Sequence, residues 1–152
     1  VGFGAYLLVD DSSVASPPFR ECIVVRRFEK TTSTKLELQT LLWALSELDS
    51  SFAHIKVTVF TDSQNTVSLL ARRARLEKNN YYSSKNRRLN HYQLYQDFFS
   101  MTDRISCEFI KVDGHKKAQD KDDVDHLFTL VDRASRIALR DFNRLPVNNR
   151  IV

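Results

Sequence analysis

The sequence predicts an α/β domain, a mixed or parallel sheet flanked by helices. Three observations carry that reading. Short apolar or β-branched runs alternate with longer amphipathic ones in the order β-β-α-β-α-α-β-α, and such alternation covers a sheet with helices. Hydrophobic residues make up 42% and charged residues 28% of 152 positions, the balance of a globular domain able to bury a core. Only three glycines and three prolines punctuate the chain, without a repeat or an obvious linker. One domain is therefore expected over residues 1–142, followed by an irregular C-terminal tail at 143–152.

Residues 3–9 are short, apolar and aromatic-rich, and read as a buried strand. Residues 10–18 (DDSSVASPP) form a turn, and 22–28 (CIVVRRF) a second strand. From 31 to 48, hydroxyl residues suited to helix N-caps precede Leu38, Leu41, Leu42, Leu45 and Leu48, which share one helical stripe. Residues 56–61 (KVTVFT) alternate with period two, as a half-buried strand does. One helix is expected over 63–76, with Val67, Leu70 and Ala71 inward. A polar break at 79–86 holds Tyr81 and Tyr82. A helix over 89–101, a strand over 105–112 and a helix from about Val124 to Phe142 follow.

Charge is unevenly spread. The net charge is +4, but residues 72–88 alone carry +6, whereas 113–125 hold five Asp against three Lys. A basic segment beside separate carboxylates suits a protein that grips phosphates and holds a divalent metal, so a nucleic-acid partner is expected. No apolar run approaches the roughly 20 residues of a membrane span, and nothing resembles a signal peptide. Two cysteines, Cys22 and Cys107, make no disulfide framework and suit a cytoplasmic location.

Four residues stand out. Asp62 follows a strand in Thr61-Asp62-Ser63-Gln64, at the strand's carboxyl end, where α/β sites usually lie. Capping of the next helix by Asp62 or Ser63 is the structural alternative. Glu37 falls in the expected first helical turn, on the row Glu37, Leu41, Ala44, Leu48, and leans toward the sheet; Thr34-x-x-Glu37 also fits a capping box. His115 follows Gly114 in a loop after the strand FIKV. Asp132 lies in an amphipathic helix. Alone, each of the last two reads as a surface residue.

Taken in order, these segments resemble the ribonuclease H family over nearly the whole chain. Gly2-Phe3-Gly4-Ala5-Tyr6-Leu7 resembles the family's second strand, and residues 32–38 the segment bearing its helical Glu. Thr61-Asp62-Ser63-Gln64 is the most specific match, to the Thr-Asp-Ser that ends the fourth strand. Lys111-Val112-Asp113-Gly114-His115 resembles the Val-x-Gly-His loop, and Asp132-Arg133-x-small-Arg136 the last carboxylate. The resemblance implies a ribonuclease H-like mixed sheet, and hydrolysis of the RNA strand of RNA–DNA hybrids with Mg²⁺ (or Mn²⁺).

It also implies roles. Glu37, Asp62 and Asp132 would be metal-binding carboxylates, the hard oxygen donors such ions require. His115 would assist at the leaving side or in product release. Ser33, Thr34 and Gln64 would touch the minor groove, and Arg72, Arg73, Arg87 and Arg88 the phosphates. The family's first-strand Asp-Gly-Ser does not occur in the chain. The expectation is that this central strand lies upstream of Val1, and that the 152 residues alone cleave hybrid poorly. The alternative takes 3–9 as the first strand, with Asp10 or Asp11 as its carboxylate. Two other functions share the fold: a non-catalytic nucleic-acid-binding module, and a DNA nuclease or recombinase core.

Overall fold

The computed structural model describes residues 1–10, 22–48, 54–114 and 116–146. In chain order its elements are β1 (Gly2–Tyr6), β2 (Val24–Phe28), α1 (Ser33–Ser46), β3 (Val57–Thr61), α2 (Gln64–Val67), α3 (Leu69–Lys78), α4 (Tyr92–Arg104), β4 (Cys107–Lys111) and α5 (Asp123–Arg144). A 3-10 turn, Ala118–Asp120, precedes α5. The chain divides into two compact units, Val1–Thr32 with Asp113–Val152, and Ser33–Val112.

In the first unit β1 pairs antiparallel with β2, Gly4 opposite Arg26, and α5 packs on β1. Phe3 meets Phe142 of α5 with ring centroids 5.7 Å apart. The Arg27 guanidinium lies 4.5 Å over the same Phe142 ring, a cation–π contact, and pairs with Glu29. The start of α5 is closed reciprocally. Asp122 accepts from the Asp125 backbone N–H at 2.8 Å, and the Asp125 carboxylate accepts from that of Asp122 at 3.1 Å. Asp125, only 5% exposed, also receives Lys116 Nζ at 2.9 Å. That ammonium, followed by the Asp122 N–H, holds the Asp125 carboxyl below the usual carboxylate range.

In the second unit β3 pairs parallel with β4, Val59 opposite Phe109, and the intervening helices supply the crossover that a parallel pair needs. Period-two alternation sets the two sheet faces apart. Phe109 packs against the core, while Phe60 and its partner Ile110 are exposed. The core gathers Leu38 of α1, Leu69 and Leu76 of α3, Tyr81, and Tyr95, Phe98 and Phe99 of α4. Where the sequence leads to one mixed or parallel sheet covered by helices, the described strands form two two-stranded sheets, antiparallel in one unit and parallel in the other, each with helices packed beside it.

The segment 63–76 is not one helix. It breaks at Ser68, whose hydroxyl donates to the Asn65 carbonyl at 3.2 Å and closes α2. The break resets the helical phase, so Leu69 and Leu76 are buried while Leu70 and Ala71 are exposed and Val67 is half-buried. The inward trio read from a continuous helix is corrected accordingly. After α3 the chain reverses through two left-handed residues, Asn80 (φ 48°) and Tyr81 (φ 60°). Asn tolerates this region, but an aromatic there stores about 1–3 kcal/mol of strain. Burial of the Tyr81 ring to 6% exposure holds the turn in place.

Candidate active site

Glu37 does not cap its helix. Because α1 starts at Ser33, Glu37 lies beyond the first turn, and its Oε2 accepts a hydrogen bond from the Ser63 hydroxyl at 2.5 Å. A hydroxyl has one proton and two acceptor positions. At Ser63 both positions are taken, by the Thr66 backbone N–H at 3.2 Å and the Thr66 hydroxyl at 3.1 Å. The single proton is therefore committed to Glu37. Ser63 and Thr66 are 5% and 2% exposed, so solvent does not compete for it. Ser63 is at once the N-cap of α2 and the group that orients a carboxylate 26 residues earlier.

Asp62 stands one residue before this hydroxyl, exposed, just past the carboxyl end of β3. The junction is fixed from the strand side as well. The Ser63 N–H donates to Thr61 Oγ1 at 3.1 Å, and the Val112 N–H to the Thr61 carbonyl at 2.9 Å. Gln64 opens α2, exposed, and Ser33 and Thr34 open α1, in the same unit. Ser63 and Thr66 are the residues that sequence reading missed in this role. The spacing Ser63-x-x-Thr66 signals a cap, but nothing local signals Glu37.

The basic residues differ in what they offer. Arg72 Nη2 donates to the Asn65 carbonyl at 3.1 Å and to Asn65 Oδ1 at 2.5 Å, tying α3 back to α2. Arg73 is bidentate to Asp103 at 2.6 and 2.9 Å, bonded to Glu77 at 2.8 Å, and 5.1 Å over the Phe99 ring. Those carboxylates push its already high pKa further up. Arg87 and Arg88 are exposed, with Arg88 4.0 Å over Tyr92.

In the first unit Asp132 lies on α5, partly exposed, and pairs with Arg136 at 2.9 Å. His115 and Asp11 lie outside the described residues, and Asp10 is exposed beyond β1. Among the described residues no group of three or more His, Cys, Asp and Glu is arranged to hold a metal ion. The donors at the β3–α2 junction, Glu37 and Asp62, are carboxylate oxygens, the type a hard divalent cation prefers. No helix is long and apolar enough to cross a membrane among the described residues.

No curated protein matches the chain. Among solved structures, it is similar to a chain in the structure of the foamy viral protease-reverse transcriptase in complex with dsDNA. The TM-score is 0.53 at 14% identity, over 76% of this chain and 72% of that one, a likeness of fold. The family model for RNase H matches residues 3–131, ending one residue before Asp132, and with most of its length inside that match the chain belongs to the ribonuclease H family.

Proposed function

We infer that this protein hydrolyses the RNA strand of RNA–DNA hybrids in a metal-dependent reaction. Membership of the family supports ribonuclease H-type nucleic-acid hydrolysis. The observation that carries the finer reading is the Ser63–Glu37 hydrogen bond, which aims a helical carboxylate at the Thr61-Asp62-Ser63 strand end. On this reading Glu37, Asp62 and Asp132 hold Mg²⁺ or Mn²⁺, and His115 acts at the leaving side. Such ions activate water and stabilise the leaving oxygen when bound. Ser63 keeps Glu37 oriented. Ser33, Thr34 and Gln64 face the minor groove, and Arg72, Arg87 and Arg88 meet phosphates. Arg73, already paired to two carboxylates, contributes less charge to the grip. Residues 1–142 form the ribonuclease H-like domain, with the tail from 143; α5 itself ends at Arg144.

The test is incubation of the protein with labelled RNA–DNA hybrid in Mg²⁺ and in EDTA. Cleavage of the RNA strand is expected in Mg²⁺ and not in EDTA, and it should be weak, because the chain holds no first-strand Asp-Gly-Ser. Binding without cleavage would favour the non-catalytic module, and neither would overturn the reading. Replacing Arg87 and Arg88 together by Ala should flatten the salt dependence of hybrid binding, by about one unit of log–log slope for each phosphate left without its arginine. An unchanged slope would mean that these arginines only solvate the surface.

Ser63→Ala removes the only proton that Glu37 Oε2 receives from the junction. Mn²⁺ affinity, followed by electron paramagnetic resonance, is expected to fall about tenfold, the scale of losing a group that orients a ligand. Loss of the α2 cap should also lower stability by about 1 kcal/mol in urea unfolding. Ser63→Thr keeps the hydroxyl and should restore most of the Mn²⁺ affinity. An Ala variant with unchanged affinity would leave Ser63 a cap and nothing more.

A further inference from the structure

The loop between α3 and α4 does more than spread positive charge. It lines an open, solvent-facing cleft of about 630 Å³, within the size range of small-ligand sites. Its lining includes Arg75, Asn79, Tyr82, Ser83, Ser84 and Asn86, and no carboxylate. Among the described residues the side chains of Arg75, Asn79, Ser84 and Asn86 have no hydrogen-bond or ion-pair partner, so a guanidinium, two amides and a hydroxyl are available to a ligand.

The wall is preorganised. Tyr82 and Arg88 form a β-bridge, the Ser83 N–H donates to the Arg87 carbonyl at 2.8 Å, and the Asn86 N–H to the Ser83 carbonyl at 3.0 Å. Three left-handed residues, Asn80, Tyr81 and Asn86, shape the loop, and the buried Tyr81 ring anchors it to the core. The next ring outward, Tyr82, is 42% exposed, with the Arg88 guanidinium 5.7 Å from its centroid.

An exposed aromatic ring beside a donor-rich, carboxylate-free pocket is the equipment for one unpaired nucleotide. The base stacks on the ring, the amides meet its edge, and the guanidinium takes its phosphate. A paired base offers neither face nor edge in this way. We propose that the α3–α4 loop binds an unpaired nucleotide flanking the duplex, with Tyr82 as its stacking platform and Arg75, Asn79 and Asn86 as its polar contacts. The proposal rests on the nucleic-acid reading above and adds to it a preference for substrates with a single-stranded end.

The test compares, in EDTA, the affinity of the full chain for a blunt RNA–DNA hybrid and for the same hybrid with a short oligothymidine overhang, by fluorescence anisotropy. The overhang should tighten binding about tenfold, the low end of what stacking one base supplies. Tyr82→Ala should erase that gain and leave the blunt affinity unchanged, while Tyr82→Phe keeps it. Asn86→Asp tolerates the left-handed backbone, places a carboxylate in the pocket, and should also erase the gain. Equal affinity of the unaltered protein for both hybrids would overturn the proposal and leave the hydrolase reading standing. So would a Tyr82→Ala variant that weakens both hybrids alike. Binding of neither hybrid would remove the nucleic-acid reading, and this proposal with it.

Discussion

Replacing Asp62 by Asn is expected to lower the already weak Mg²⁺-dependent hydrolysis of the hybrid by more than about a hundredfold, beyond what losing a second layer around a metal ligand does. Asn keeps the shape of the side chain and loses the charge that attracts the cation. The position allows a clean separation of chemistry from folding. Asp62 is exposed past the end of β3, and among the described residues it makes no hydrogen bond or ion pair that the change would break. Stability should therefore stay within about 0.5 kcal/mol of the unaltered protein, as for other surface substitutions. Hybrid affinity in EDTA should also hold, since the grip lies with the arginines. Single-turnover cleavage, anisotropy and urea unfolding on one preparation read all three quantities. Cleavage at the unaltered rate would remove Asp62 from the metal site, and a large loss of stability would make its role structural.

What was legible in the sequence is what depends on near neighbours along the chain. The alternation Val57-Thr58-Val59-Phe60-Thr61 announces a strand with one apolar face, and Leu38 and Leu45 announce the buried side of α1. The long amphipathic α5 is equally plain. The misses are of another kind. The phase of 69–78 turns on whether one serine hydroxyl, that of Ser68, bonds back to a carbonyl and ends a helix, and a periodic pattern does not show that choice. The +6 of residues 72–88 overstates the charge on offer, because Arg73 is neutralised by Asp103, 30 residues later. Glu37 shows the same limit at the candidate site. Its spacing from Thr34 is that of a capping box, and only the folded chain brings Ser63, 26 residues away, to its carboxylate.

The largest loss of stability is expected from Phe98→Ala in α4. The ring is fully buried, 5.6 Å from Phe99 in an edge-on contact and 5.4 Å from Phe109 of β4, so it joins the helical layer to the parallel strands. Truncation removes the transfer free energy of a phenyl group and leaves a cavity between elements that cannot fully close, together about 3–5 kcal/mol. A domain of this size has only about 5–15 kcal/mol in all, so the urea midpoint should fall by roughly a fifth or more while the slope is kept. The consequence for the site follows from packing. α4 lies against α1, and α1 carries Glu37, so amides of α1 should exchange with solvent faster in this variant although Glu37 and Ser63 are untouched. Phe98→Leu keeps most of the volume and should cost less than half as much. A loss below about 1 kcal/mol for the Ala variant would contradict the packing described, because no fully buried phenyl wedged between two other rings can be removed so cheaply.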